Sequence, residues 1–521
     1  MTREGRAVAL LRSSVKSPLI LASCLFFILT TVFSLPLAAT DLTGFWQSAR
    51  TAPGGVKIDT FFTLRQHAPV LEGTVHFHWG DLEIHSGSVE GDKVRFQCGD
   101  TKAPMTYSGA VVADEMRLNL HESDPKIPDI QIVARRASSE AMRPGTPLPP
   151  PKLRELPSNG LAKTPPMGWN SWNFFHEQVD DATVRGIADT MVSSGMRDAG
   201  YIYLNIDDTW EGVRDAQGNI TSNTKFPDMK ALSDYVHSKG LKLGIYSSPG
   251  KTTCGGYEGS YGHEEQDART FAAWGVDYLK YDWCSAFRLY KSSDMRAIYQ
   301  KMGEALQKSG RPIVYSLCQY GMEKSWEWAP KVGGNLWRTT GDIADRWDSV
   351  DSIGFDQQLP LAKWAGPGQW NDPDMLEIGN GGMTADEYRT HMSLWSLLSA
   401  PLLAGNDLRS MSKETLSILT NREVIAVDQD AKGQQAQRAW KQGALEAWLK
   451  PMSDGSFAVG LFNRGDTAAP ISIRWSELGV HGVAQVRDLW QHKQVTAASE
   501  GYTGQVPRHA VVLLRLFPKA K

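Results

Sequence analysis

The segment "GVDYLKYDWCSAF", Gly275 to Phe287, reads as an apolar strand that turns polar at its end. Lys280 and Asp282 are two residues apart, so on a strand both side chains point to one side. As a surface ion pair they would contribute little. At the mouth of a cavity, a carboxylate beside a cation stays ionised and can act as a nucleophile. Seven further strand-like pieces of the middle of the chain also end in polar or aromatic groups. These are Trp169; Asp207 and Asp208; Tyr246; Gln319 and Tyr320; Arg338 and Asp342; Asp372 and Asp374; and Asn406 and Asp407. One aspartate at a strand end is readily explained as the cap of the next helix. Reactive groups at nearly all of eight ends are not.

Two carboxylates on opposite sides of an aromatic-lined pocket suit hydrolysis of a glycosidic bond. One attacks; the other, carrying its proton, donates to the leaving oxygen. The remaining acids would accept hydrogen bonds from sugar hydroxyls. A carboxylate cluster could instead hold Mg²⁺ or Ca²⁺. Zinc would call for histidines at the strand ends, which are almost absent. There is no serine nucleophile elbow. No metal or organic cofactor is implied by acid–base chemistry on two carboxylates.

The elements that position these groups alternate between strand and helix from about 159 to 430. The strand-like pieces are "MGWNSW", "YIYLNIDDTW", "LKLGIYSSPG", "VDYLKYDWC", "PIVYSLCQY", "NLWRTTGDI", "QWNDPDML" and "PLLAGNDL". Glycines at 200, 240, 275, 310 and 334 are expected to end the preceding helices. Eight strand-plus-helix units predict an α/β fold, a closed (β/α)8 TIM barrel whose reacting groups sit at the carboxyl ends of the strands. A doubly wound open sheet is the runner-up; it lacks the glycine-rich phosphate turn expected after its first strand.

The flanking segments read as β structure. Residues 41–137 form an extra N-terminal all-β module, a small sandwich or barrel, from "TGFWQ", "DTFFTLRQ", "LEGTVHFHW", "LEIHSGSVEGDKVRFQC", "MTYSGAVV" and "EMRLNL". His76 and His78 share a strand face with His85 nearby, better read as a half-solvated face than a metal site. No chemistry is read in this module. Residues 138–158, with "RPGTPLPPP", read as a stiff linker. Residues 431–521 form a C-terminal antiparallel β domain, expected to be a sandwich packed on the barrel.

The 521 residues allow about three domains, and 41% hydrophobic with 22% charged residues is ordinary for a globular chain. The net charge of −3 gives no reason to expect nucleic acid or an acidic membrane surface as partner. The 18 tryptophans suit flat, half-polar ligands such as sugars, although most are expected in the core. Residues 1–39 read as a secretory signal: Arg3, Arg6, Arg12 and Lys16 precede "LILASCLFFILTTVF" and then small residues, with cleavage near Ala38–Thr40. An uncleaved anchor is the alternative. A secreted or periplasmic location, with no stable membrane insertion after cleavage, is therefore expected. Cys24 would leave with the signal; Cys98, Cys254, Cys284 and Cys318 remain, with three full pairings open.

"GLAKTPPMGWNSW", "NIDDTW", "LGIYSSPG", "TFAAWGVDYLKYDWC", "LWRTTGDI", "WNDPDMLEIGN" and "MSLWSLLSAPLLAGNDLR" together resemble glycoside hydrolase family 27, the α-galactosidase and α-N-acetylgalactosaminidase family. The resemblance runs in order from about Leu161 to Asp430 and more loosely into the tail. It implies a retaining hydrolase acting on oligosaccharides or polysaccharides with terminal α-galactosyl groups. By this resemblance Asp282 is the nucleophile and Asp342 the acid/base. Asp207, Asp208 and Lys280 bind hydroxyls, and Trp169 and Tyr246 wall the pocket. Arg338 lies near the 2-position, and Asp374 and Met375 form the floor. Cys254 and Cys284 match a family disulfide, which leaves Cys98 and Cys318 free. The run "LCQYGM" departs from the family's usual Cys-Glu-Trp type, so Gln319 is expected to set the preference at the 2-position. The alternatives are an α-N-acetylgalactosaminidase or β-L-arabinopyranosidase, and, outside enzymes, a carbohydrate-binding protein.

Overall fold

Along the N-terminal module apolar and polar residues alternate, as in "KVRFQC", where Val94, Phe96 and Cys98 are buried and the residues between them keep some exposure. The computed structural model describes residues 41–519, apart from 124–126, 144 and 497. In it, this two-residue period closes eight antiparallel strands into a barrel. The strands are β1 (Gly44–Thr51), β2 (Lys57–His67), β3 (Val70–His76), β4 (Asp81–Glu90), β5 (Lys93–Cys98), β6 (Met105–Val112), β7 (Glu115–His121) and β8 (Ile130–Arg136). Because β1 pairs with both β2 and β8, no sheet edge is left open. Stacked Phe96 and Tyr107, with Phe62 edge-on to both, fill the interior. The module is thus a barrel rather than a sandwich. The sequence run 82–98 supplies a hairpin, and Ile130–Arg136 closes the ring. The expected signal segment lies outside the described residues.

The proline-rich stretch is extended, as its composition predicts, but it is not a free spacer. Tyr261 Oη donates to the Thr146 carbonyl at 2.9 Å and accepts from the Leu148 N–H at 2.8 Å. Gln300 accepts from the Arg154 N–H at 2.8 Å and donates to the Lys152 carbonyl at 2.9 Å. The buried Leu156 donates its N–H to the Lys331 carbonyl at 2.9 Å. The segment is a strap laid along the outside of the central domain.

In the central domain eight parallel strands curl into one sheet. They are β9 (Met167–Asn170), β10 (Tyr203–Asn205), β11 (Lys242–Ser247), β12 (Tyr278–Asp282), β13 (Val314–Cys318), β14 (Leu336–Arg338), β15 (Trp370–Asp372) and β16 (Leu402–Ala404). β9 to β15 lie side by side in sequence order and β16 pairs back onto β9. β15 and β16 stand at the two ends of this order, and Leu376, four residues past β15, bridges to Ala404 of β16. Each of the eight strand-like pieces read from the sequence contains one of these strands. The longer crossover helices are Asp181–Ser193, Met229–Ser238, Glu264–Trp274, Met295–Lys308 and Ala385–Leu398. Asp180 and Asp228 cap the first two, and a Thr384–Glu387 capping box starts the last. After β13 and β14 the connections are mostly short 3₁₀ and π turns. Gly275, at φ +90°, ends the helix Glu264–Trp274 three residues before β12 begins. At the β14 unit the left-handed residue is Gly333, not the expected Gly334.

The C-terminal strands are β17 (Gln437–Gln442), β18 (Leu445–Pro451), β19 (Phe457–Asn463), β20 (Ala469–Arg474), β21 (Val483–Asp488), β22 (Lys493–Gln494), β23 (Gly501–Val506) and β24 (Val511–Pro518). Six of them form one antiparallel sheet, and β20 and β23 form a second pair. The helix Ala385–Leu398 is buried on nearly every side, because this domain covers its outer face. Thr390 donates to the His509 carbonyl at 2.7 Å, and Lys450 Nζ donates to the Ser396 carbonyl at 3.0 Å. Among the described residues no helix is long and apolar enough to cross a membrane.

Candidate active site

The carboxyl ends of the parallel strands open into a cavity of about 550 Å³. β10 leads directly into Asp207 and Asp208, whose side chains are fixed by different partners. Asp207 Oδ2 accepts from Lys280 Nζ at 2.8 Å and from Asn170 Nδ2 at 2.7 Å. Asp208 accepts backbone N–H bonds from Gly255 and Thr209, each at 2.7 Å. Burial pushes the Asp208 carboxyl up to about 7, against the pull of the Gly255 N–H. Lys280 lies 5.3 Å from the centre of the Tyr246 ring, so its ammonium rests on a π face while it grips Asp207. Burial alone would discharge it; the Asp207 charge, with the Asp282 charge and the hydrogen bond to Asp207 added, outweighs burial and holds its pKa well above the ordinary lysine value.

Asp282 ends β12 and is only 3% exposed. Its Oδ1 accepts from Tyr320 Oη at 2.8 Å. Burial pushes its carboxyl up to about 6; the Asp342 charge adds to this, while Lys280 and the Tyr320 hydroxyl oppose it. Arg338, buried at the end of β14, donates to Asp342 Oδ1 at 2.9 Å and pairs with Asp374 Oδ2 at 2.9 Å. Asp374 is further fixed by N–H donors from Ile343 at 2.9 Å and Met375 at 2.8 Å. Asp342 differs from the floor residues: its side chain is 73% exposed at the cavity rim. One carboxylate is therefore sunk and held, and the other stands at the entrance.

Several residues that shape this floor are non-glycine residues with left-handed backbones: Thr209 (φ +84°), Tyr320 (φ +59°) and Asp374 (φ +89°). Each such conformation costs about 1–3 kcal/mol and persists only where its surroundings impose it. At β13 the turn at Tyr320 explains a departure from the sequence reading. Gln319 is wholly buried, hydrogen-bonded only weakly to the Arg338 carbonyl at 3.4 Å, and does not line the cavity. Tyr320, the next residue, does. Trp169 is likewise sealed beneath the cavity: its Nε1 donates to the Asn406 carbonyl at 2.8 Å and Phe175 packs edge-on against its ring. Trp172, three residues on, takes the wall instead. Asn406 and Asp407 face a separate groove, so β16 adds nothing to the cavity.

The cavity joins Asp207, Asp208, Tyr246, Lys280, Asp282, Arg338, Asp342, Asp374 and Met375, all anticipated from the sequence. It also includes Glu377, which was not. Asn173 and Asn380 donate to the Glu377 carboxylate, and burial pushes this carboxyl up to about 8. Its place in "WNDPDMLEIGN", just past the acids at the end of β15, was the available signal. Another missed residue, Trp79, comes from the N-terminal barrel. Cys254 and Cys284 are joined in a disulfide beside Asp282, and Cys98 and Cys318 are free and buried. Cys254, Cys284 and Asp282 lie close enough together to surround an ion, but the disulfide removes both thiolates and leaves one carboxylate.

The Tyr320 bond gives a first prediction. A donor to the ionised carboxylate favours that form, so Tyr320→Phe should raise the Asp282 pKa. The acid limb of the kcat/KM profile is expected to move to higher pH by about half a unit to one unit. A profile measured over both limbs checks this; an unmoved acid limb would detach Tyr320 from Asp282.

The order of these elements and acids is shared with known proteins. The sequence pattern of the family described as Alpha galactosidase A matches residues 164–430, and that of the Alpha galactosidase C-terminal beta sandwich domain matches residues 442–516. Alpha-galactosidase 2 of Arabidopsis thaliana is 50% identical over 369 residues, which is 70% of this chain and 92% of that protein. The chain belongs to the α-galactosidase family of glycoside hydrolases. The crystal structure of α-galactosidase I from Mortierella vinacea superimposes with a TM-score of 0.66 at 38% identity, covering 70% of this chain and all of its own. A structure from Bacteroides fragilis, at 33% identity and TM-score 0.66, covers 92% of this chain and 92% of its own. Both family patterns begin after the N-terminal barrel; the Mortierella structure covers 70% of this chain, whereas the coverage of the Bacteroides structure extends into the barrel.

Proposed function

We propose that this chain is an exo-acting retaining α-galactosidase in which Asp282 is the nucleophile and Asp342 the acid/base. The observation that carries the reading is the unequal setting of the two carboxylates: Asp282 buried and hydrogen-bonded by Tyr320, Asp342 exposed at the rim on Arg338. A terminal galactose would enter with its hydroxyls toward Asp207, Asp208 and Lys280, whose fixed carboxyl oxygens and ammonium match a dense set of donors and acceptors. An Asp282 oxygen attacks the anomeric carbon as the bond from that carbon to the glycosidic oxygen breaks. The leaving oxygen takes the Asp342 proton. The galactosyl ester is then opened by water, which gives a proton to Asp342 as its oxygen replaces Asp282 on the same carbon. This chemistry runs on carboxylates alone.

Two inversions at one carbon return the original configuration. Hydrolysis of an aryl α-galactoside followed by proton NMR should therefore release the α anomer first, before mutarotation. The β anomer as first product would exclude the double displacement; no hydrolysis of any α-galactoside would exclude the activity. A panel of aryl α-galactoside, α-N-acetylgalactosaminide and β-L-arabinopyranoside fixes the sugar. In this reading Tyr320 and Arg338, rather than Gln319, face the 2-substituent, because Gln319 has no surface in the cavity. Export is inferred from the leader at 1–39 together with the Cys254–Cys284 disulfide.

A further inference from the structure

We infer that Trp79 of the N-terminal barrel is the stacking platform for the sugar unit that departs, so that the added module helps choose which galactosides the central site accepts. The inference rests on the α-galactosidase reading above. Trp79 lies outside both family-matched stretches, yet it lines the same cavity as Asp282 and Asp342. It is 45% exposed, unlike most tryptophans of the chain, and one face is covered by Phe77, stacked at 5.0 Å and 13°. A ring backed on one face leaves the other for a ligand.

The short connection from β3 to β4 that carries Trp79 is pinned to the site. Phe77 donates its N–H to the Gly80 carbonyl at 2.8 Å, closing a tight turn around Trp79. Ser285 donates its N–H to the His78 carbonyl at 2.8 Å, and Arg288 donates to the Phe77 carbonyl at 2.9 Å. His78 Nδ1 bonds the Thr252 hydroxyl at 2.9 Å. Ser285 follows disulfide-bonded Cys284 and lies three residues past the nucleophile, so the turn is anchored to the backbone run that carries Asp282. Gly256, at φ +87°, passes so close that a Cβ there would come within 2.7 Å of the His78 ring. The indole is thus held before any ligand arrives, which lowers the entropy cost of binding.

The division of chemistry across the cavity selects the ligand. Its floor is charged and holds one sugar through hydroxyls; its rim carries Asp342, which must meet the glycosidic oxygen. The leaving unit therefore sits in the mouth, where the indole offers an apolar face to the C–H side of a neutral pyranose.

The test uses the full chain as wild type, Trp79→Ala and Trp79→Phe, on two substrates with the same galactosyl group. One is raffinose, whose leaving group is a sugar; the other is α-galactosyl fluoride, whose leaving group has no ring. Trp79→Ala is expected to lower kcat/KM on raffinose roughly tenfold and to leave galactosyl fluoride within about twofold, with Trp79→Phe restoring most of the loss. The fluoride rate also reports that the variant is folded. Equal losses on both substrates, or no loss on raffinose, would overturn the inference. A wild type inactive on both would instead overturn the α-galactosidase reading and the inference with it.

Discussion

Asp282→Asn is expected to reduce turnover of an aryl α-galactoside by at least ~10⁴-fold while changing galactose affinity by no more than a few-fold. The amide has the shape of the carboxylate and can still accept from Tyr320, so the cavity keeps its form. It cannot form the galactosyl ester, and no neighbouring carboxylate can replace it. Asp207 is held by Lys280 and Asn170, and Asp374 by Arg338 and two backbone N–H groups. Steady-state assay with calorimetric titration of galactose separates lost chemistry from lost binding. Asp282→Gly opens space for a small anion, and added azide should then yield β-galactosyl azide, the product of a single displacement. Unchanged rates in Asp282→Asn would remove Asp282 from the mechanism.

Asp342 should reveal its role through the leaving group. A sugar leaves as an alcohol and needs a proton; fluoride or a dinitrophenolate leaves readily without one. Asp342→Asn is therefore expected to slow raffinose hydrolysis by ~10²–10⁴-fold and to spare the first step on activated substrates. Loss of the base then makes water attack slow, so a stopped-flow burst of leaving group should appear. Azide, which needs no base, should accelerate turnover and give α-galactosyl azide. The substitution should not collapse the site, because Arg338 retains its bond to Asp374. Equal losses across all leaving groups, with no burst, would show that Asp342 positions rather than transfers protons.

The central fold was legible because it repeats: eight short apolar strands, each followed by a turn or helix, leave few topologies that bury them all. The acids at the ends of β10, β12, β14 and β15 were legible for a related reason, since a strand fixes the side on which a residue emerges. What alternation does not fix is the path after the strand ends. Of the pair read at the end of β13, Gln319 is turned out of the cavity and Tyr320 remains in it, because the left-handed turn at Tyr320 re-aims the chain, and nothing local marks a tyrosine for that conformation. Trp169 was misplaced because its indole is captured by a carbonyl of Asn406, a partner far along the chain. The closure of the N-terminal strands into a barrel depends on the pairing of β1 with β8, and Trp79 reaches the cavity only through docking of one module on another. Neither leaves a periodic trace.

The strap from residue 145 to 158 bears on how durable the composite mouth is. Its bonds to Tyr261, Gln300 and the Lys331 carbonyl lie apart from the contacts of His78 with Thr252 and Ser285. If those contacts open transiently, the N-terminal barrel stays leashed by a short, fastened segment, and its return is a unimolecular step. The loose module then meets its seat at an effective concentration in the millimolar range rather than at the protein's own dilution. A wall built from two domains can in this way behave, over many turnovers, as one surface.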